Sequence, residues 1–426
     1  MNFEFTDIPY PEEMLHQQYL RQIAGEGVRR LYDVEDLVHP KNNREKFIAT
    51  RFCREVEIIE QAGLEKHFLL IWDLIRAVKG MGISVGPGCG PAPGSLLAYS
   101  LGITGIDPLR HGLIFERFLN PERMSRPNII IDVCSRRRGE VVDYMKRKYG
   151  EDCVDQNLPS EQSGTSPLSQ NIDAACDSSR LKNPGSVKVE IFGLKVLTVI
   201  REICDRVMQE KSHSIDPQDF PLDDPKTYEM LARGDAEGVF QLESAGIRER
   251  LRDLQVNKIE ELIAMIALHR PGPMKMIPNF IKRKHGRKSI AYLHPLLEPI
   301  LKETYGVMVY QEQLQQAVCV LAGFSMGQGD ILRRELGKKN PPKVAIQREA
   351  FVKKCIMRKT SNLAKAEQLF DYFARNACYL FNKSHAVAYG FLTFQTAYLK
   401  ANYPAQFMEV MQSIGANCDD WWRDRL

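Results

Sequence analysis

The chain has 426 residues, 44% hydrophobic and 26% charged, with a formal net charge of +4, a balance that suits a folded protein of two or three domains with a real core. No apolar run approaches the ~18 residues of a membrane span, nothing resembles a targeting segment, and the ten cysteines contain no C-x-x-C pair, so they read as reduced thiols. The mild excess of positive charge neither demands nor excludes nucleic acid; its distribution decides.

In chain order, Tyr10-Pro11 marks a turn, and Pro11-Glu12-Glu13 opens a helical pattern to about Leu31, with proline and acids where a first turn favours them. Residues 43–80 predict two helices. Phe47, Phe52, Val56 and Ile59 fall on one apolar face, and Phe68, Leu69, Ile71, Trp72, Leu74, Ile75 and Val78 on a second; both read as core packing. Residues 82–85 predict a short strand leading into the loop GPGCGPAPGS at 86–95. A glycine-rich turn entering a helix can cradle phosphate with backbone N–H groups, although Gly/Pro turns are common and the signal alone is weak.

A strand follows at PNIIIDV, 127–133. Alternation puts Asn128, Ile130 and Asp132 on one face and Ile129, Ile131 and Val133 on the other. An Asp-x-Asp pair on a strand presents oxygen ligands to Mg²⁺. Here a single aspartate stands beside an isoleucine, and alone it reads as a solvated strand-end carboxylate. Arg136-Arg137-Arg138 then opens a helix to about Tyr149, with Val141, Tyr144, Met145 and Lys148 at helical spacing; the arginines suit a solvated face better than a phosphate contact. Residues 151–186 are rich in Ser, Gln, Asn, Asp and Pro without apolar period, the composition of a flexible linker. In KVEIFGLKVLTV, 188–199, Glu190 reads as an ordinary polar strand position. Lys282, Arg283, Lys284, Arg287 and Lys288 fall within seven residues, and 333–359 hold ten Lys or Arg against two Glu. Such clusters are either solvated helix faces or phosphate-neutralising surfaces. His385 alone reads as a hydrogen-bonded structural histidine.

Taken together, FERFLNPER before the strand, SLLAYSLGITGIDPLRHGLIFERFL, GVFQLES (238–244), HRPGPM (269–274), FIKRKHGR (280–287), YGVMVYQEQ (305–313), DILRRELGKK (330–339), FNKSHAVAYG (381–390) and YLKANYPAQFM (398–408) resemble the bacterial DNA polymerase III alpha subunits, the C-family replicative polymerases. The resemblance covers roughly 1–150 and 187–412. It implies an α/β palm with a small mixed, nucleotidyltransferase-like sheet and a largely α-helical fingers domain. The expected divisions are a lead-in at 1–42, palm at 43–150 and 187–215, a linker at 151–186 where the family has its thumb, fingers at 216–412 and an unassigned tail at 413–426. The family's preceding metallo-hydrolase-like domain and its later clamp- and DNA-binding modules are expected to be absent.

The resemblance also implies site residues. The family strand reads P-D-I-D-[ILVT]-D-F, and its second and third aspartates hold metal; those positions are Ile130 and Asp132. The third metal carboxylate is Glu190, longer by a methylene, and Lys188 faces the nucleotide. The family loop G-P-G-R-G-S-A-A-G-S approaches the triphosphate through its arginine and first serine, here Cys89 and Pro91, with Pro93 for an alanine; prolines remove N–H donors. Gly86, Gly88, Gly90, Ser95, Lys188, Arg333, Arg334, Lys338 and Lys339 are the implied nucleotide-binding set. Lys282, Arg283, Lys284, Arg287, Lys383 and His385 are the implied DNA-binding set. Mg²⁺ on Asp132 and Glu190 is the implied cofactor. Primer-template DNA, a deoxynucleoside triphosphate and other replisome subunits are the implied partners, in the cytoplasm and off the membrane. The expectation is a catalytically impaired or inactive copy. The alternatives are a non-catalytic DNA- or nucleotide-binding protein and a weak Mn²⁺-dependent polymerase.

Overall fold

The computed structural model describes residues 14–123, 127, 129–150 and 189–414, which divide into two compact units. The expected linker at 151–186, Lys188, Asn128 and the tail beyond 414 lie outside the described residues.

The first unit holds 14–115, 127–150, 189–220 and 403–414. Its helices are α1 (His16–Tyr32), α2 (Asn43–Gln61), α3 (Glu65–Gly80), the single turn α4 (Leu96–Ser100), α5 (Arg138–Tyr149) and α6 (Lys195–Lys211). α1 starts at His16, later than the proline-acid signal suggested. α2 starts where Asn42 accepts from the Glu45 N–H at 2.9 Å. It buries Phe52, Val56 and Ile59 as expected, but Phe47 is 61% exposed. Phe47 lies on the flank of the apolar stripe, where spacing alone cannot tell edge from centre. α3 buries Phe68, Leu69, Ile71, Leu74, Ile75 and Val78.

Two strands, β1 (Ile130–Cys134) and β2 (Glu190–Leu194), pair in parallel with Ile130 opposite Glu190 and Asp132 opposite Phe192. The expected strand before the glycine loop is reduced to an antiparallel bridge, Val85 opposite Val133. Hydrogen bonds flank it: Cys134 N–H donates to the Ser84 carbonyl at 2.9 Å, and Gly86 N–H to the Asp132 carbonyl at 2.8 Å. β1 is covered on both faces, with Ile131, Asp132 and Val133 all at most 3% exposed. That explains its near-continuous apolar run and overturns the solvated strand-end reading of Asp132.

The second unit is helical: α7 (Pro225–Ala232), α8 (Ala245–Leu254), α9 (Ile259–Leu268), α10 (Ile277–Lys284), α11 (Glu298–Leu301), α12 (Gln311–Ala322), α13 (Met326–Lys338), α14 (Pro341–Met357), α15 (Leu363–Asn376) and α16 (Lys383–Asn402). One core gathers Leu314, Leu321, Leu332, Phe351, Phe370 and Phe373 from four of these helices. α16 lies close against α9 because residue 390 is glycine: a Cβ there would sit 2.6 Å from Ile263 Cγ1. The unit also takes in 116–123, which sequence order had placed with the sheet. Asn120 Nδ2 donates to the Gly327 carbonyl at 3.0 Å, and Glu122 bonds the Ser325 hydroxyl at the start of α13. The last described helix, Pro404–Ser413, belongs to the first unit and packs on α6.

Candidate functional site

Each unit carries a candidate site. In the first, residues paired across a parallel ladder share a face, so Ile130, Glu190 and, two residues on, Asp132 look the same way. Glu190 is 4% exposed and Asp132 1%. The half-buried position between them is Ile130. Two carboxylates on one face suit a single hard cation by donor chemistry. They do not make the three-carboxylate set of the family pattern, and the described residues hold no group of three or more His, Cys, Asp or Glu arranged for a metal.

The glycine loop is seated on this sheet. Of its four expected phosphate-facing residues, Gly86, Gly88 and Ser95 are buried and Gly90 half-buried. Gly88 and Gly90 take φ of +121° and +62°, which glycine tolerates. The Ser95 hydroxyl donates to Glu55 Oε2 at 2.9 Å and accepts from the Ala98 N–H at 3.1 Å. Arg51 donates to the Gly94 carbonyl at 2.7 Å. Ser95 therefore caps α4 inside the unit and holds no hydroxyl out to a phosphate. The arginine run after β1 is also structural. Arg136 pairs with Glu202, Arg137 bonds Glu140 and the Met81 and Gly82 carbonyls, and Arg138 bonds the Ile191 carbonyl.

In the second unit, guanidinium groups gather around the start of α12 and along α13. Arg333 is 8% exposed, and its Nε and Nη2 donate to Asp330 Oδ1 at 3.0 and 2.8 Å. Arg117 donates twice to Gln311 Oε1, at 3.0 and 2.7 Å. Burial first, then the charge of Arg333, pushes the Arg117 guanidinium down to about 10. Arg334 is lowered too, by burial and then by Arg123. The nearby carboxylates of Glu312 and Asp330 are buried. Burial and neighbouring positive charge lower Arg117 and Arg334 despite the opposing carboxylates, a setting in which an incoming anion is favoured.

Lys338 and Lys339, at the exposed end of α13, extend this positive surface. Sequence reasoning misses Arg117 and Arg123 as site residues. They sit in FERFLNPER, whose place in sequence ties it to β1, whereas the segment folds with the helical unit.

The expected DNA-binding residues separate into two kinds. Lys282 and Arg287 are exposed. Lys284 is spent in a buried pair with Glu261 at 2.6 Å, and Arg283 donates to the Tyr305 carbonyl at 3.2 Å. Lys383 pairs with Glu303 at 2.7 Å, leaving its side chain 11% exposed. Lys284 and Lys383, expected as phosphate contacts, are thus each engaged by a carboxylate of the same unit. His385 lies between rings, 4.2 Å from the Tyr389 centroid and 5.5 Å from Phe381, whose ring also carries the Arg270 guanidinium at 4.2 Å.

Two family descriptions match the sequence: the bacterial DNA polymerase III alpha NTPase domain over 18–164 and the alpha subunit finger domain over 196–359. The DNA polymerase III subunit alpha of Halalkalibacterium halodurans is 35% identical over 494 residues, covering 95% of this chain and 44% of the relative. Those of Chlamydia pneumoniae and Thermus aquaticus are 36% and 35% identical, over 94% and 93% of this chain and 40% and 39% of theirs. The chain thus spans less than half the length of these relatives. The alignment of 494 positions exceeds the chain's 426 residues, so the relative carries inserted residues that this chain does not have.

Proposed function

Because the chain belongs to the bacterial DNA polymerase III alpha-subunit family, we propose that it binds a nucleoside triphosphate and primer-template DNA through its helical unit, while its sheet falls short of supporting the family reaction. The observation that carries this reading is the guanidinium cluster of Arg117, Arg123 and Arg334, continued by Lys338 and Lys339, with Arg333 beside it held by Asp330. With Arg333 set against the buried Asp330, the guanidiniums of Arg117, Arg123 and Arg334 supply positive charge for a polyphosphate. Lys282 and Arg287 supply exposed charge for the nucleic-acid backbone.

In this reading the helical unit is the fingers and the sheet-bearing unit the palm, with a nucleotidyltransferase-like sheet. The family reaction is template-directed addition of a deoxynucleotide to a primer 3′ end, with two Mg²⁺ ions on three aspartates. Asp132 and Glu190 would hold one such ion, which supplies charge neutralisation when bound. Ile130 takes the place of the remaining ligand, and its hydrocarbon side chain offers a second ion no donor atom. Metal stabilisation is worth several kcal/mol, and each 1.36 kcal/mol is tenfold in rate, so losing one ion is enough to suppress synthesis. A role beside other replisome subunits in the cytoplasm follows from the same reading; no described helix is long and apolar enough to cross a membrane.

Primer extension on a primed template, with Mg²⁺ and with Mn²⁺, tests it. The chain is run beside Asp132→Ala and the double reversion Ile130→Asp, Glu190→Asp. No extension by the native chain, with salt-sensitive DNA binding that needs no metal, is the expected result. Extension lost in Asp132→Ala overturns the impaired reading in favour of a weak Mn²⁺-type polymerase. Absence of both extension and DNA binding overturns the whole reading.

A further inference from the structure

The contact between the glycine loop and β1 is closer than ordinary packing. A Cβ built on Gly86 would lie 2.9 Å from Asp132 Cβ, against 3.6 Å from the Asp132 carbonyl oxygen and 3.6 Å from Leu197 Cδ1. The atom in the way is the root of the Asp132 side chain, not the far end of a flexible group, so it cannot swing aside. The backbone is pinned at the same place: Gly86 N–H donates to the Asp132 carbonyl at 2.8 Å, one step from the Val85–Val133 bridge and the bond from Cys134 to Ser84. Gly86 has no left-handed φ to explain it. The glycine is required by space, and the space belongs to Asp132.

We infer that Gly86 is a positioning residue for Asp132. It fixes where that carboxylate stands and acts on any ion at the sheet face through Asp132, rather than by offering its own N–H to a phosphate. That N–H is already spent on β1. The inference rests on the reading of Asp132 and Glu190 as ion ligands for its effect on binding, and on the steric contact alone for the positioning itself.

The test separates the two. A thermal cycle uses the full chain, Gly86→Ala, Asp132→Gly and the double variant. Overpacking of this kind lowers Tm by about 3–6 °C, and the same alanine costs less than half as much once Asp132 has no Cβ. If Gly86→Ala does not fold, recovery of folding in the double variant is the same result. An equal cost in both backgrounds overturns the positioning role.

Mn²⁺ titration followed by electron paramagnetic resonance supplies the second readout. Gly86→Ala weakens Mn²⁺ binding by roughly 10-fold, the size of effect seen when a ligand's support is removed. Gly80→Ala, with nothing within 4 Å of its added carbon, leaves binding unchanged. Unchanged Mn²⁺ affinity in Gly86→Ala overturns the inference even if Tm falls. If the native chain binds no Mn²⁺, the ion-ligand reading fails, and the thermal cycle alone decides whether Gly86 positions Asp132.

Discussion

The sheet-bearing unit and the helical unit treat charge in opposite ways. On the sheet face, Ile130 stands beside Asp132 and Glu190, and both carboxylates are nearly closed off from solvent. In the helical unit, charge is abundant and layered. Some of it is locked inside, as in Lys284–Glu261, Lys383–Glu303 and Arg333–Asp330. Some is exposed, as in Lys282, Arg287, Lys338 and Lys339. In the proposed reading, a metal site of few ligands is sensitive to one change, whereas an anion site of several guanidiniums and lysines tolerates the loss of one. A basic residue inside a family motif is therefore not by that fact a ligand contact.

Variants that pull the buried and exposed charges apart sharpen this contrast. Arg333→Ala should have the largest effect. It strips the buried Asp330 of its partner and should lower the unfolding free energy by about 3–5 kcal/mol in urea melts; a loss under ~1 kcal/mol would place Arg333 with the ligand-facing group instead. Lys284→Met comes next, at about 2–3 kcal/mol, because Glu261 still accepts from Tyr305 and Asn257. The salt slope of its DNA binding should match the native slope, and a shallower slope would show that Lys284 reaches a phosphate after all.

Arg334→Ala should leave stability almost untouched and weaken binding of inorganic tripolyphosphate by roughly 10-fold, the value of one charge-assisted hydrogen bond. Calorimetric titration reads it, and undiminished affinity removes Arg334 from the anion site.

The smallest effect tests a structural charge at a helix start. The Asp224 carboxyl caps α7. Burial pushes it up, but bonds from Thr227 and Asn402 outweigh this and hold it below the usual 3.8. Its contribution is complete above 3.8 and fades as pH falls through the lower folded value. Asp224→Ala should cost about 1 kcal/mol at neutral pH, and its melting curve should converge on the native one in acid. A gap that persists below pH 2 would assign the loss to packing, not charge.

Local periodicity made much of the fold legible. The apolar faces of α2 and α3, the strand around Asp132 and the helix after the arginine run all follow from spacing within a few residues. Partners distant in sequence were not legible. Ser95 looks like a loop hydroxyl until Glu55, forty positions earlier, takes it up. Lys284 looks like part of a basic face until Glu261 claims it. The exposure of Phe47 and the membership of Arg117 and Arg123 in the helical unit depend on how elements pack, which alternation and helical spacing do not encode.

The segment 116–123 has a consequence for how the molecule is assembled. Asn120 and Gly327, joined by a direct hydrogen bond, are 207 positions apart, and Arg117 lies 194 from Gln311. Closing so long a loop is slow relative to forming the local helices that flank it. The helical unit therefore cannot finish as a contiguous block during synthesis. The segment 116–123, made much earlier, must wait unpaired until the start of α13 emerges. A chain cut to 221–402 would lack that piece altogether. Supplying residues 116–123 as a separate peptide should restore what the cut removes, making this short stretch a detachable folding cofactor for the rest.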